Sequence, residues 1–140
     1  TYCGSIPYEL YTDLILPFSK RILNAAKENN CPTIFFPKDY GNGISKIEEG
    51  TCDFVSIDWH SSISHARDIL NNKIGIQGNM DPRIFYEDYN VIENYLNSLV
   101  DFGSQNHNWI FNLGHGFLPD IDYKKVQFVV EWVKNKDWKR

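Results

Sequence analysis

A chain of 140 residues is long enough for a single domain, and its hydrophobic content of 42% and aromatic content of 15% exclude intrinsic disorder. The formal net charge is −4 with both signs interspersed, which argues against nucleic acid as a partner. No apolar stretch approaches the roughly 18 residues that a membrane span requires, so we expect no membrane association.

The first predicted element is a helix over residues 8–28, with Pro17 as a break or kink. Its apolar residues recur at helical spacing: Leu10, Leu14, Phe18, Ile22 and Ala26. Short apolar runs rich in β-formers predict strands at residues 33–36, 54–57, 74–76 and 109–111.

Helices are predicted between and after these strands, at residues 44–49, 61–70, 90–100 and 122–134. Gly50 ends the first of them, and Asp122 caps the last. The inward face of the last helix is predicted to consist of Val126, Val129, Val130 and Val133. Strands that alternate with helices predict an α/β fold with a parallel sheet and right-handed crossovers. The sequence has no Gly-rich dinucleotide-binding motif. Half of a (β/α)₈ barrel therefore fits the order of elements at least as well as a small doubly wound sheet does.

Polar clusters follow the predicted strands, where parallel α/β proteins place their functional residues. Asp58 follows the second strand, and the simplest structural interpretation is that it caps the helix at 61–70. Asp81 followed by Pro82 is a good helix start in its own right. His115 lies between two glycines, contributes little packing, and is as well suited to facing a ligand as to a structural role.

The remaining titratable residues give no sign of a metal site or of disulfides. His60, His65 and His107 are predicted to lie on the surface, without the spacing of metal ligands. The cysteines are Cys3, Cys31 and Cys52, odd in number and far apart. That pattern disfavours a disulfide framework and a zinc site and is typical of the reducing cytoplasm.

Four segments resemble motifs of one enzyme family, in that family's order and at compatible spacing. Residues 76–82 read IQGNMDP and resemble its LQGNLDP segment; residues 112–120 read NLGHGFLPD and resemble its NLGHGILPD segment. Residues 56–59, SIDW, are similar to its GLDW, and residues 16–18, LPF, to its LPY. The chain is on these grounds similar to the uroporphyrinogen decarboxylases.

The resemblance implies the C-terminal half of a (β/α)₈ TIM-type barrel, with residues 1–140 a single partial domain and the N-terminal half absent. It implies a cytoplasmic, homodimeric lyase of haem biosynthesis that needs neither a metal nor an organic cofactor. That enzyme removes the four acetate carboxylates of uroporphyrinogen III as CO₂ and leaves coproporphyrinogen III. We expect no partnership with nucleic acid or membranes.

Two residues inherit a substrate-binding role from the family pattern. His115 corresponds to the histidine that lines the substrate cleft, and Thr1 stands where the family has a substrate-contacting serine. The family's Arg-rich loop, its aspartate at the pyrrole NH groups and its cleft tyrosine belong to the N-terminal half. We therefore expect no catalytic residue within these 140 residues and no activity from the chain alone.

Two other functions fit parts of the sequence. Zinc-dependent methyltransferases of the same superfamily carry a His-x-Cys-Gly segment at the position of residues 1–4, but here Thr1 replaces the histidine. The last strand ends in Gly114-His115-Gly116 without a nearby cysteine, so at least two zinc ligands are missing. The second alternative is a non-catalytic α/β module that binds an anion at its polar strand ends.

Overall fold

The structure is a computed structural model that describes residues 2–138. The described residues form a four-stranded sheet, in the order β1-β2-β3-β4, with every neighbouring pair parallel. The strands are β1 (Ile34–Phe35), β2 (Phe54–Ser56), β3 (Gly75–Gln77) and β4 (Trp109–Ile110). The predicted α/β class and parallel sheet are confirmed.

The α-helices are α1 (Tyr8–Leu14), α2 (Leu16–Glu28), α3 (Ile63–Leu70), α4 (Tyr89–Ser98), α5 (Val100–Gln105) and α6 (Tyr123–Asn135). Short 3₁₀ helices cover Cys3–Ser5, Gly41–Lys46 and Pro82–Tyr86. None of the helices within residues 2–138 has the length and apolar character needed to cross a membrane.

The predicted helix at 8–28 is divided at Ile15, and Pro17 occupies the first turn of α2, where its missing N–H leaves no hydrogen bond unmade. The apolar spacing located the helices but not their buried face. Phe18 is 62% exposed and Ile22 is 73% exposed, whereas Tyr11 and Leu16 are buried. The side facing the sheet therefore carries the tyrosine and leucine that lie outside the apolar repeat.

Three local predictions are wrong. The turn at Gly41–Lys46 is a 3₁₀ helix that ends before Glu49, rather than a helix over 44–49. Asp58 does not cap α3; Ser62 does, accepting a hydrogen bond from the backbone N–H of His65. Val130 is 44% exposed, although Val129 is buried as predicted.

The central strands β2 and β3 are covered on both faces, as parallel strands usually are. Val55 and Ile76 are completely buried, and Ile57 lies at the end of β2 with 2% exposure. Burial of each such side chain contributes about 1.5–3 kcal/mol. The described chain also has a cluster around Met80, Phe85, Ile92, Leu96 and Val129, which joins the β3 loop to α4 and α6.

Candidate functional site

The parallel register brings the carboxyl ends of the strands to one edge of the sheet. Backbone hydrogen bonding between the segments that follow β3 and β4 continues beyond the strands. Met80 donates its N–H to the carbonyl of Asn112 at 3.1 Å. Gly114 then donates to the carbonyl of Met80 at 2.8 Å. On the opposite flank, Tyr2 forms a parallel bridge with Lys38, and Cys3 donates to the Lys38 carbonyl at 2.7 Å. Residues far apart in sequence therefore lie side by side along this edge.

Gly114 allows two loops of this edge to touch. A Cβ at this position would overlap the backbone nitrogen of Trp59 and lie 2.9 Å from the carbonyl carbon of Asp58. Gly116 has no atom within 4 Å of an added Cβ. The two glycines beside His115 thus differ: the first permits close backbone approach, and the second lies in open space.

His115 is half-buried and held between two aromatic residues. The Tyr2 hydroxyl lies 3.2 Å from Nε2, within hydrogen-bonding distance. The Trp59 ring meets the imidazole edge-on, with centroids 5.5 Å apart and an interplanar angle of 85°. The structure therefore places the histidine at the sheet edge where the sequence predicted ligand contact. Thr1, the other predicted substrate-binding residue, lies outside the described residues.

Asp58 ties the loops after β1 and β2 together. Its side chain is buried and accepts hydrogen bonds from the backbone N–H of Asp39 at 2.8 Å and of His60 at 3.0 Å. Asn79 donates to the carbonyls of Asp58 at 3.0 Å and Ser61 at 2.6 Å. Asp58 and Asn79 therefore act as a scaffold, because each bonds to the backbone of a neighbouring loop.

Lys38 is a buried cation at this edge. Its Nζ donates to Oδ2 of Asp39 at 2.6 Å, and this hydrogen bond is the main reason why the pKa of Asp39 lies below its usual value. The ammonium lies 4.4 Å from the centre of the Tyr2 ring and 5.5 Å from that of Trp59. These are the two rings that hold His115.

Comparison with known proteins identifies the family of the chain. The profile of the uroporphyrinogen decarboxylase (URO-D) family matches residues 1–136. The chain belongs to the uroporphyrinogen decarboxylase family. The (β/α)₈ barrel that the sequence implied is the fold of this family, and the parallel sheet agrees with it.

Individual uroporphyrinogen decarboxylases show the same relationship. The protein of that name from Geobacter metallireducens is 32% identical over 133 residues, which cover 95% of this chain and 39% of the relative. The one from Chlorobium chlorochromatii is 35% identical over 144 residues, covering 99% of this chain and 41% of the relative. The chain thus spans about two fifths of the length of the relatives it matches.

A second cation of the chain faces Trp59 from the loop after β3. Asp81 caps the 3₁₀ helix that begins with Pro82, as the sequence predicted, and accepts a hydrogen bond from the Arg83 backbone. The Arg83 side chain also pairs with Asp81 at 2.6 Å, which lowers the pKa of the carboxyl group. Its guanidinium carbon lies 5.9 Å from the Trp59 ring centre.

Sequence reasoning did not single out Lys38, Arg83 or Tyr2. Lys38 stood in a polar cluster after the first strand, but a lysine in a loop normally extends into solvent, and its sequence position does not reveal burial against two rings. Arg83 lies two residues after Asp81, with which it pairs, and this spacing is common at exposed helix N-termini. The role of Tyr2 depends on a contact 113 residues away, with His115.

Asp39, Asp58 and His60 form the group of potential metal ligands found among residues 2–138. The carboxylate oxygens already accept from Lys38 and from backbone N–H groups, so a cation here would compete with these donors. Cys3, which the methyltransferase alternative needs as a thiolate, is 1% exposed, and burial raises the pKa of its thiol. Its surroundings favour the neutral thiol over a zinc-bound thiolate.

Proposed function

We propose that the protein containing this chain is a uroporphyrinogen decarboxylase that converts uroporphyrinogen III to coproporphyrinogen III. Family membership and relatives of that name, aligned over 95–99% of the chain, support the proposal. The structural observation that carries it is the sheet edge at which His115 lies between Tyr2 and Trp59, with two cations against the same tryptophan. Imidazole and cationic groups suit a substrate with many carboxylates.

The chemistry divides between this edge and other parts of the protein. Protonation of the pyrrole carbon adjacent to the acetate arm creates an acceptor for the electron pair that is released when the C–C bond to CO₂ breaks. The exocyclic methylene carbon then takes up a proton and becomes the methyl group, while the pyrrole carbon gives up the proton it had gained. His115 and the Thr1 hydroxyl hold substrate in this scheme. Protonation and stabilisation of the cation are assigned to family residues outside these 140 positions, so the chain alone is expected to be inactive.

The proposal also covers the protein's compartment, oligomeric state and cofactors. We propose a cytoplasmic homodimer that works without a metal or organic cofactor. The three cysteines at positions 3, 31 and 52, odd in number and far apart in the sequence, support a reducing compartment.

An anaerobic assay of the complete gene product with chemically reduced uroporphyrinogen III tests the proposal. We expect coproporphyrinogen III with four molecules of CO₂ released per molecule of product, at a rate unaffected by dialysis against a chelator. A stable product with fewer carboxylates lost, or activity abolished by the chelator and restored by zinc, would contradict it. The 140-residue chain assayed in parallel should form no product.

A further inference from the structure

The ammonium group of Lys38 is buried beside one carboxylate and two aromatic rings. The side chain is 10% exposed, and lysine is rarely buried to this degree without a partner. Asp39 supplies the negative charge at 2.6 Å, and the ammonium also lies over the faces of two aromatic rings, those of Tyr2 and Trp59. Cation–π attraction is strongest where the cation is shielded from water, as it is here.

The two rings that contact the ammonium are the same two that contact His115. Tyr2 reaches His115 through its hydroxyl, and Trp59 reaches it through an edge-on ring contact. The Lys38 ammonium lies over the face of the Tyr2 ring, 4.4 Å from its centre, and is a specific restraint on where the hydroxyl points.

We propose that Lys38 is a positioning residue for His115, acting through the rings of Tyr2 and Trp59. The inference rests on the proposed function only in so far as His115 binds the substrate. Lys38 itself is directed at Asp39 and the rings, so its effect on turnover is indirect. When the ammonium is removed, the Tyr2 ring is free to turn, and the hydrogen bond to Nε2 is lost for part of the time.

The backbone of Lys38 has a separate role that a side-chain substitution leaves in place. Its carbonyl accepts from Cys3, and the bridge to Tyr2 is made by main-chain atoms. Lys38→Met keeps an unbranched chain of similar length and removes the charge together with its hydrogen bond to Asp39. Lys38→Arg keeps a cation that stacks on aromatic rings.

The matched control is Lys20, which also pairs with a carboxylate. Its Nζ lies 2.7 Å from Oε2 of Glu48, and its side chain is 31% exposed. Lys20 is on α2 and pairs with Glu48, so Lys20→Met removes a paired lysine whose partner is unrelated to the Tyr2–Trp59 pair. It should leave both turnover and the His115 resonances unchanged.

The experiment combines kinetics with NMR of ¹⁵N-histidine-labelled complete gene product, with His115 signals assigned from a His115→Gln variant. Misplacement of a binding group by about 1 Å can cost up to about 100-fold, so Lys38→Met should lower kcat/KM by about 10- to 100-fold. The change should be mainly in KM, because His115 is proposed to bind substrate. The imidazole shifts of His115 should move, and Lys38→Arg should recover most of both effects.

Failure of this inference and failure of the proposed function give different results. If the wild-type protein does not decarboxylate uroporphyrinogen, the proposed function fails, and the His115 shifts still test the positioning role. Unchanged His115 shifts in a folded Lys38→Met variant would overturn the inference, as would a fall in kcat at constant KM. If Lys38→Met does not unfold cooperatively, Lys38→Gln replaces it with the same expected outcomes.

Discussion

The two edges of the parallel sheet use polar side chains in different ways. At the carboxyl edge, where Asp58 and Asn79 also bond to backbone, charged and aromatic side chains from different loops contact one another, as Lys38, Trp59 and His115 do. At the amino edge, polar side chains bond mainly to nearby backbone. Asp53 accepts from both the N–H and the hydroxyl of Thr33, at 2.7 and 2.8 Å, and Arg67 donates to the carbonyl of Ile74 at 3.1 Å.

The difference shows which polar residues hold the sheet and which are available for binding. The Thr33–Asp53 pair joins the start of β1 to that of β2, and Thr33 in turn accepts from the Asp53 N–H at 3.0 Å. These bonds are satisfied within the sheet. The imidazole of His115 and the guanidinium of Arg83 lie at the opposite edge, where they remain partly open to solvent. Substitutions at the two edges should therefore affect different measurements.

The largest expected effect is on turnover, at the carboxyl edge. His115→Ala in the complete gene product should lower kcat/KM for uroporphyrinogen by about 10- to 150-fold, mainly through KM, because a hydrogen bond to a charged group contributes about 1.5–3 kcal/mol. The melting temperature should change little, because a Gly-flanked histidine packs against few neighbours. His107→Ala, at an exposed histidine, is the control and should leave kcat/KM and the melting temperature unchanged. Wild-type kcat/KM in His115→Ala would remove this residue from the site.

The next largest effect is on stability, and it should differ between the two glycines beside His115. Gly114→Ala should destabilise the protein by about 1–3 kcal/mol, since the new methyl group overlaps backbone that cannot move away freely. Gly116→Ala should change the free energy of unfolding by less than about 0.5 kcal/mol, as at other open surface positions. Chemical denaturation of both variants measures the difference. Equal stabilities would mean that the loops of the carboxyl edge are not in contact.

A smaller effect is expected at the amino edge, on stability rather than turnover. Asp53→Ala removes an acceptor of two hydrogen bonds at an exposed position, so we expect a loss of about 0.5–1.5 kcal/mol at pH 7. kcat/KM should stay at the wild-type value. Asp68→Ala, an exposed aspartate on α3, is the matched control. Loss of turnover without loss of stability would contradict the division between the edges.

The Asp53 contribution should depend on pH in a defined direction. Hydrogen bonds from the Thr33 hydroxyl and N–H lower the pKa of Asp53 in the folded protein. The stabilisation is therefore present above the unfolded pKa of about 3.9 and is lost as the pH falls through the lower folded value. Denaturation between pH 7 and pH 3 should show wild type and Asp53→Ala converging only below about pH 4. A gap that stays constant to pH 3 would exclude the charged carboxylate as its source.

Of the two substitutions at predicted substrate-binding residues, the smaller effect on turnover is expected for Thr1→Val, which removes a hydroxyl at similar volume. The loss in kcat/KM for uroporphyrinogen should be smaller than that of His115→Ala, because one neutral hydrogen bond contributes about 0.5–1.5 kcal/mol. Kinetics of the two variants side by side make the comparison. A larger loss for Thr1→Val would shift the main substrate contact from His115 to the hydroxyl.

The sequence determined the fold class and the edge of the sheet at which the candidate site residues lie, because both depend on local patterns. Apolar runs set the strands, and parallel connection brings their carboxyl ends to one edge. Asp122 and Asp81 were identifiable as caps because capping uses neighbouring backbone. His115 could be singled out from its glycines and from the motif around it. Asp58 was misread, since its partner Asp39 lies on another loop and only the folded chain brings the two together.

What the tertiary structure alone decided is the set of side chains that surround His115. Tyr2, Lys38 and Trp59 come from three separate segments, and each ordinarily has a commoner role on the surface or in the core. Which face of α1 and α2 turns toward the sheet was likewise decided by packing, which buries Tyr11 and leaves Phe18 exposed. Sequence patterns report contacts within a few residues along the chain. The contacts that define this site span up to 113 residues, and only the folded chain specifies them.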